Sequence, residues 1–148
     1  MSPTPPTSGP VVVGVDGSDS SKEALVWAAH WAKLTGTTLT AVTAWNFPTM
    51  YGWGGPAPLP ADFDPEALAR GSLEESVSQA LGEHPDIVVT TEVAEGHPAP
   101  LLVERSKAAS LVVVGSRGHG AFTGMLLGSV SEFVITHAHC PVVVVRDG

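Results

Sequence analysis

Short runs of β-branched and apolar residues alternate with helical segments along the chain, and this alternation constrains the fold more than any other feature. Runs of this length are typical of strands that are buried on both faces. We predict five strands, at Val11–Val15, Leu39–Trp45, Ile87–Ala94, Leu111–Gly115 and Pro141–Arg146. Because strands that alternate with helices form right-handed βαβ units, the sequence predicts a single α/β domain with a parallel sheet covered on both faces.

The first predicted helix begins beside Ser20, which stands three residues before Glu23 as in a capping box. Gly36 is placed to end this helix. Trp27 and Trp31 lie one turn apart and are expected to pack on each other. The residues expected on the buried face are Ala24, Leu25, Ala28 and Ala32.

The second predicted helix starts with Asp64 as N-cap and Pro65 as first helical residue, and it runs to about Glu83. The residues expected on its buried face are Leu68, Leu73, Val77 and Leu81. Two further helices are predicted, at about Ala99–Ala109 and Gly128–His139. The segment Asn46–Ala61 is rich in Pro, Gly and aromatic residues and is predicted to be a long loop or lid. Its aromatic side chains either pack locally, stack on a ligand or form a partner surface.

Composition restricts the possible functions. The 148 residues carry a net charge of −8 with seven Lys and Arg, which argues against a surface for duplex nucleic acid but not against a site for one nucleotide. Cys140 is the single cysteine, so no intrachain disulfide can form, and a reducing compartment such as the cytoplasm is favoured. No apolar run approaches the roughly 20 residues of a membrane span. Residues 1–10 are predicted to be a disordered Pro-rich lead before the domain at 11–148.

A glycine-rich segment after the fourth strand has the order of a phosphate-binding loop. Gly115-Ser-Arg-Gly118 is followed by nine residues and then by Gly128-Ser129, which opens the fourth helix. Glycines let a backbone approach an anion, and a helix N-terminus offers unpaired N–H groups. The segment lacks the lysine of a P-loop and the spacing of a dinucleotide fingerprint. It therefore favours a mononucleotide held largely by backbone amides, with a flexible turn as the alternative.

Polar or glycine residues also follow the first strand. In a parallel sheet, ligands bind at the carboxyl ends of the strands, so Asp16 and the Gly115 loop are expected to flank one crevice if the first and fourth strands are neighbours. Asp16 either contacts a ribose hydroxyl or an adenine N–H, or it caps the following turn. Gly14 either brings the backbone close to a ligand or allows close packing on the strand.

Several motifs resemble the universal stress protein family. They are Val11–Ser18, Glu95-Gly-x-Pro98-Ala99, the glycine motif Gly115–Ser129, and Cys140-Pro141 followed by four valines. The similarity covers about Val11–Arg146, and the glycine motif resembles the ATP-binding branch of the family. The resemblance implies a doubly wound, Rossmann-like sheet of five strands in the order 3-2-1-4-5. It also implies a homodimer in which the last strand, Val142–Val145, pairs with its copy, an arrangement that suits an uncovered apolar edge.

The resemblance further implies an ATP site. By position, Asp16 would lie beside the ribose and adenine, and Ala44 would contact adenine through its backbone. The residues that would line the ribose and phosphates are Gly115, Ser116, Arg117, Gly118, Gly128, Ser129, Val130 and Ser131. Mg²⁺ or Mn²⁺ would bridge phosphate oxygens without a protein cage. No protein metal site is predicted, because the only His/Cys cluster, His137–Cys140, offers too few ligands at unsuitable positions.

We therefore expect an ATP-binding regulatory or stress-response module with an unknown protein partner. Little or no ATP hydrolysis is expected, because phosphoryl transfer needs an oriented nucleophile and charge stabilisation, and no general base or carboxylate cluster is identifiable beside the loop. The alternatives are a weak ATPase of related fold and a dimeric scaffold that works without a nucleotide. Turnover above background would indicate the first alternative, and absence of ATP binding would indicate the second.

Overall fold

A computed structural model of the chain describes residues 9–46, 51–52, 55–56, 63–116 and 127–146. Their strands are β1 (Val11–Gly14), β2 (Leu39–Trp45), β3 (Tyr51–Gly52), β4 (Gly55–Pro56), β5 (Val89–Glu95), β6 (Leu111–Gly115) and β7 (Val142–Val145). Their helices are α1 (Asp19–Thr35), α2 (Pro65–Leu81), α3 (Pro98–Ser106) and α4 (Ser129–His137). Most of the predicted N-terminal lead, residues 1–8, lies outside the described part of the chain.

The main sheet has five parallel strands in the order β5-β2-β1-β6-β7. This confirms the predicted order 3-2-1-4-5, and each of the five predicted strands lies within two residues of its expected bounds. Val11 in the central strand β1 pairs with Leu39 of β2 on one side and with Leu111 of β6 on the other. The chain therefore reverses its winding direction at β1, and a crevice opens at the carboxyl ends of β1 and its neighbours.

The sheet separates two apolar clusters, because successive side chains of a strand point to opposite faces. Val11 and Val13 of β1 belong to the cluster beneath α1 and α2, whereas Val12 belongs to the cluster beneath α3 and α4. The predicted buried face of α1 is confirmed: Ala24, Leu25, Ala28 and Ala32 are all fully buried. None of the helices in the described part of the chain has the length and apolarity needed to cross a membrane.

The start of α1 differs from the prediction. Ser18, not Ser20, is the N-cap: its Oγ accepts a hydrogen bond of 3.2 Å from the backbone N–H of Ser21. Ser20 is already inside the first turn and is only 3% exposed. The helix ends as predicted at Gly36, which has a φ of 72° and supplies the left-handed C-cap.

The buried face of α2 also differs from the prediction at one position. The helix begins as expected with Asp64 as N-cap and Pro65 next, and Leu73 is buried. Leu68, however, is 61% exposed. It precedes Leu73 by five residues, and five steps of a helix leave the two side chains roughly 140° apart around the axis. The prediction for Leu68 was wrong because only one of the two leucines can face the sheet.

The segment Asn46–Ala61, predicted to be a loop or lid, contains a short antiparallel ladder. Tyr51 pairs with Pro56, and Gly52 pairs with Gly55. Residues 47–50, 53–54 and 57–62 lie outside the described part of the chain. The two residues per strand are too few to make this ladder an independent element of the fold.

Candidate functional site

A cavity of about 60 Å³ opens at the carboxyl ends of β1, β2 and β6. The first turns of α1, α3 and α4 contribute the rest of its wall, so three helix N-termini surround it. Its lining comprises Gly14, Val15, Asp16, Ser18, Ser21, Val42, Ala44, Pro98, Leu101, Leu102, Val114, Gly115, Val130 and Ser131. Because each helix N-terminus carries unpaired N–H groups and partial positive charge, this convergence suits a ligand with a negatively charged end.

One side of the cavity is apolar. Val42 of β2 and Val114 of β6 form its floor, and Leu101 and Leu102 of α3 form its wall. Leu102 reaches the sheet because Gly14 has no side chain: a Cβ on Gly14 would lie 2.8 Å from Leu102 Cδ1. Gly14 therefore does allow close packing, and its backbone also lines the cavity. An apolar slot between strand ends and a helix suits a flat ring.

The opposite side is formed by the turn from β1 into α1. Asp16 Oδ1 accepts hydrogen bonds from the Ser18 backbone N–H at 2.9 Å and from the Ser18 hydroxyl at 2.5 Å. The Ser21 hydroxyl donates to the Ser18 carbonyl oxygen at 2.9 Å. The carboxylate thus already balances the positive end of α1. A second anion at this turn would be repelled, whereas hydroxyl or amine donors would be attracted.

The N-terminus of α4 is arranged differently. Its N-cap, Gly128, supplies no side-chain cap, and α4 starts with the exposed Ser129. The Ser131 hydroxyl lies 3.0 Å from the carbonyl oxygens of both Ser116 and Gly128, and the Gly128 N–H donates to the Ser116 carbonyl at 2.6 Å. In the described part of the chain no N-cap side chain accepts from the first N–H groups of α4, although Glu132 places one carboxylate in its first turn. Uncapped helix N–H groups of this kind bind phosphate.

Gly115 lies between the cavity and the first turn of α1. A Cβ on Gly115 would lie 2.4 Å from Ser20 Oγ and 2.9 Å from the carbonyl carbon of Ser20. Ser20 Oγ is buried and has no hydrogen-bond partner among the described residues. The close approach of α1 to β6 therefore requires glycine at this position, independently of any ligand.

Arg105 and Cys140, both outside the cavity lining, have shifted pKa values. Arg105 Nε donates to Glu92 Oε1 at 2.6 Å, and this hydrogen bond raises the pKa of Arg105 above its usual range. Burial raises the pKa of the Cys140 thiol, which lowers the fraction of reactive thiolate at neutral pH. Among the residues that the structure describes, no group of three or more His, Cys, Asp or Glu could hold a metal ion.

Comparison with known proteins places the chain in a family. The family model described as the universal stress protein family matches residues 8–146. The chain belongs to the universal stress protein family. Universal stress protein Rv2623 of Mycobacterium tuberculosis is 39% identical over 142 residues, and Universal stress protein Rv2005c of the same species is 41% identical over 143 residues. Each match covers 96% of the chain but only 46–47% of the relative, so the chain spans about half of their length.

Solved universal stress proteins share the architecture. One, a universal stress protein in complex with cAMP, is 30% identical, has a TM-score of 0.67 and matches over 94% of this chain and 97% of its own. Another, from Archaeoglobus fulgidus in complex with dAMP, is 21% identical with a TM-score of 0.57, over 95% and 99% of the two chains. At 21% identity, the similarity to this second structure supports the fold alone.

The residues predicted for the nucleotide site of this universal stress protein fall into three groups. Those that line the cavity are Gly14, Asp16, Ala44, Gly115, Val130 and Ser131. Ser116 and Gly128 are buried and do not line the cavity, but they form hydrogen bonds at the start of α4. Ser129 is exposed at the first position of this helix. Arg117 and Gly118 lie outside the described residues.

Two local details bear on the predicted site. The Ser131 hydroxyl donates to the two carbonyl groups named above, and its side chain is buried. Gly128 has a φ of −80°, which any residue can adopt. Its value to a ligand would lie in the missing side chain alone.

Sequence reasoning missed much of the cavity wall. Ser18 and Ser21 could have been found from the sequence. They follow Asp16 and are three residues apart, which is the spacing of an N-cap and the N–H that it accepts from. Pro98, Leu101 and Leu102 could not have been found, because no local sequence pattern shows that α3 packs against the carboxyl end of β1. That placement depends on the packing of Leu102 against Gly14.

Proposed function

We propose that this universal stress protein binds an adenine nucleotide, with ATP as its ligand, and acts as a nucleotide-dependent regulatory module. The observation that carries the proposal is the polarity of the cavity: an apolar slot at one end, a carboxylate beside it, and an uncapped helix N-terminus at the other. The complex of a 30% identical universal stress protein with cAMP supports an adenine nucleotide as the ligand class.

The size of the cavity fits the base better than the whole nucleotide. Its volume is about 60 Å³, and one water molecule needs about 10–15 Å³ of such space, so the cavity has room for about four to six waters. A purine ring displaces a similar number of water molecules. The base would enter the slot between Val42 and Leu101, near Ala44, while the phosphates would extend out of it.

The hydrogen bonds determine which way the nucleotide would lie. Asp16 balances the N-terminus of α1 and disfavours phosphate there, but its carboxylate can accept from ribose hydroxyls. Gly128 leaves the N-terminus of α4 without a side-chain cap. The phosphates would therefore extend toward Ser129 and Val130 at the start of α4.

Magnesium or manganese would accompany ATP by bridging its phosphate oxygens. Mg²⁺ usually keeps several waters and takes few protein ligands, so the lack of a carboxylate cluster among the described residues is compatible with it. Asp16 is the one carboxylate in the described lining, and it is hydrogen-bonded to Ser18. These features support binding with little or no hydrolysis, since no described side chain of the lining is placed as a general base for water at the phosphate end.

Calorimetric titration with ATP, with and without Mg²⁺, tests the proposal, and cAMP, AMP and GTP serve as comparison ligands. We expect saturable ATP binding, weaker GTP binding, and phosphate release no faster than background in a parallel assay. Turnover would instead indicate the weak ATPase. The absence of binding by any nucleotide, in protein shown to be nucleotide-free by mass spectrometry, would leave the nucleotide-independent scaffold.

Gly128→Ala is expected to weaken ATP binding at least tenfold in protein that still folds, as checked by circular dichroism. The added Cβ would obstruct the approach of phosphate to the first N–H groups of α4, whereas its φ of −80° imposes no strain. Ser129→Ala is the matched comparison at the same helix start, and it should lose one hydrogen bond, about 0.5–1.5 kcal/mol. Unchanged affinity in both folded variants would contradict the placement of phosphate at α4.

We further propose that the protein is a homodimer paired through β7. The two edges of the sheet differ: β5 carries Glu92, which is paired with Arg105, while β7 consists of four half-buried valines. Charged residues on an edge strand discourage pairing with another chain, and an uncharged apolar edge permits it. The edge of β7 that pairs with no described strand is therefore the better surface for a second copy.

Val144→Pro is expected to convert the dimer to a monomer in light scattering. The carbonyl groups of Pro141 and Val145 accept from β6, so by alternation the N–H of Val144 faces the open edge. Proline removes that donor. Val144→Ala loses comparable packing but retains the N–H, and it should remain dimeric. A wild-type protein that is monomeric at all accessible concentrations would refute this interface.

A further inference from the structure

Helix α1 carries an exposed apolar strip on its outer side. Trp27 and Trp31 are stacked with ring centroids 5.7 Å apart and planes 13° apart, yet they remain 36% and 40% exposed. Leu34, one turn further on, is 66% exposed. We refer to these three residues as the tryptophan strip. Two adjacent, ordered indole rings form the kind of aromatic platform on which polyproline II segments dock.

The chain itself contains a segment with this chemistry. Pro3-Thr-Pro-Pro6 has the P-x-x-P spacing of polyproline II ligands and lies shortly before Gly9. A polyproline II segment needs no helix, strand or core of its own, so docking is compatible with the predicted absence of regular structure in residues 1–10. Its proline rings are apolar and uncharged, and they would cover the indole surfaces without adding to the net charge of −8.

The path of the chain brings this segment to the end of α1 that carries the strip. The Thr37 hydroxyl donates to the Gly9 carbonyl at 2.8 Å, and the Thr37 N–H donates to the Ala32 carbonyl at 3.0 Å. Gly9 is thus attached to the residues that immediately follow α1. The lead therefore leaves the domain within a few residues of Trp31.

The lengths agree. Trp31 and Trp27 precede Thr35 by four and eight residues, about 6 and 12 Å along a helix. The two residues from Thr35 to Thr37 add at most about 7 Å, so the indoles lie within about 13 and 19 Å of the exit point. In polyproline II geometry, Pro6 and Pro3 are about 9 and 19 Å from Gly9. The two prolines therefore span the distance range of the two tryptophans.

We propose that the Pro3–Pro6 segment of the chain docks on its own tryptophan strip. Because the segment is tethered to the domain, a weak contact is sufficient to keep it docked. A short flexible linker gives an effective concentration of about 1 mM, so a contact with a Kd of about 0.1 mM between separate molecules is about 90% formed within one chain. The docked segment covers an apolar patch that would otherwise face water. This inference does not depend on nucleotide binding.

Fluorine NMR of the full chain labelled with 5-fluorotryptophan tests the proposal. The four tryptophan signals are assigned with Trp-to-Phe variants at each position. The chain with Pro3, Pro5 and Pro6 all replaced by alanine is compared with wild type. The matched control replaces Ser2, Thr4 and Thr7 by alanine and keeps every proline. We expect the proline variant to shift the signals of Trp27 and Trp31 and to increase their quenching by acrylamide, while Trp45 and Trp53 stay unchanged.

Three results would overturn the proposal. Trp27 and Trp31 signals that are identical in the proline variant and wild type would show that the lead does not touch the strip. Equal shifts in the Ser/Thr control would show that the prolines are not the contact. Shifts that disappear on dilution would assign the strip to a second copy of the chain instead of to its own lead.

Discussion

Gly115→Ala should lower the free energy of unfolding by about 2–3 kcal/mol, in the upper part of the range for overpacked cores. The new methyl group would lie 2.4 Å from Ser20 Oγ and 2.9 Å from the Ser20 carbonyl carbon. A hydroxyl can rotate away, but the backbone of α1 cannot, because Ala24 and Leu25 anchor the helix in the core. Urea denaturation followed by circular dichroism measures the change.

Two comparisons identify the cause of this loss. Gly71→Ala lies in α2 with nothing within 4 Å of the added Cβ, and it should stabilise the protein by about 0.5–1 kcal/mol, as alanine does in a helix interior. Combining Gly115→Ala with Ser20→Ala should recover part of the loss, because the hydroxyl contact disappears while the backbone contact remains. A stable Gly115→Ala single variant would mean that α1 and β6 do not approach this closely.

Ala44→Phe should raise the Kd for ATP about 70-fold while leaving the domain folded. Ala44 lines the cavity, and a phenyl ring there would occupy the space that we assign to adenine. Excluding about 100 Å² of apolar base surface at about 25 cal/mol per Å² costs about 2.5 kcal/mol of binding energy. Because the ring enters an existing cavity, it should not overpack the core. Calorimetry measures the affinity, and thermal denaturation checks the fold.

The matched control for this variant is Ala94→Phe. Ala94 is the register partner of Ala44 on the neighbouring strand β5, and it is not part of the cavity lining. This variant should bind ATP as wild type does. If Ala44→Phe retains full affinity in a folded protein, the base does not occupy the slot, and the proposed orientation of the nucleotide is wrong.

The local sequence pattern was sufficient to predict features that depend on one helix or strand alone. The run Leu111–Gly115 and the segment Leu39–Trp45 form strands with the predicted bounds because short runs of apolar and β-branched residues favour strands. Helix ends were predictable wherever a side chain or glycine acts alone, as with Asp64 and Gly36. Ser20 was misassigned as the cap because serines two residues apart offer competing caps. Leu68 was misassigned because two leucines five residues apart cannot share one helix face.

The sequence by itself determined the alternation of strands and helices, the strand identities and the place of the glycine motif, because period, capping and chain order are local properties. The family resemblance supplied the strand order, which the sheet confirms. Only the tertiary structure decided that Leu102 closes the cavity over Gly14, that Ser20 leaves no room for a side chain at Gly115, and that the Ser131 hydroxyl is occupied. Each of these depends on contacts between residues that are far apart in the chain, and those distances are set by packing alone.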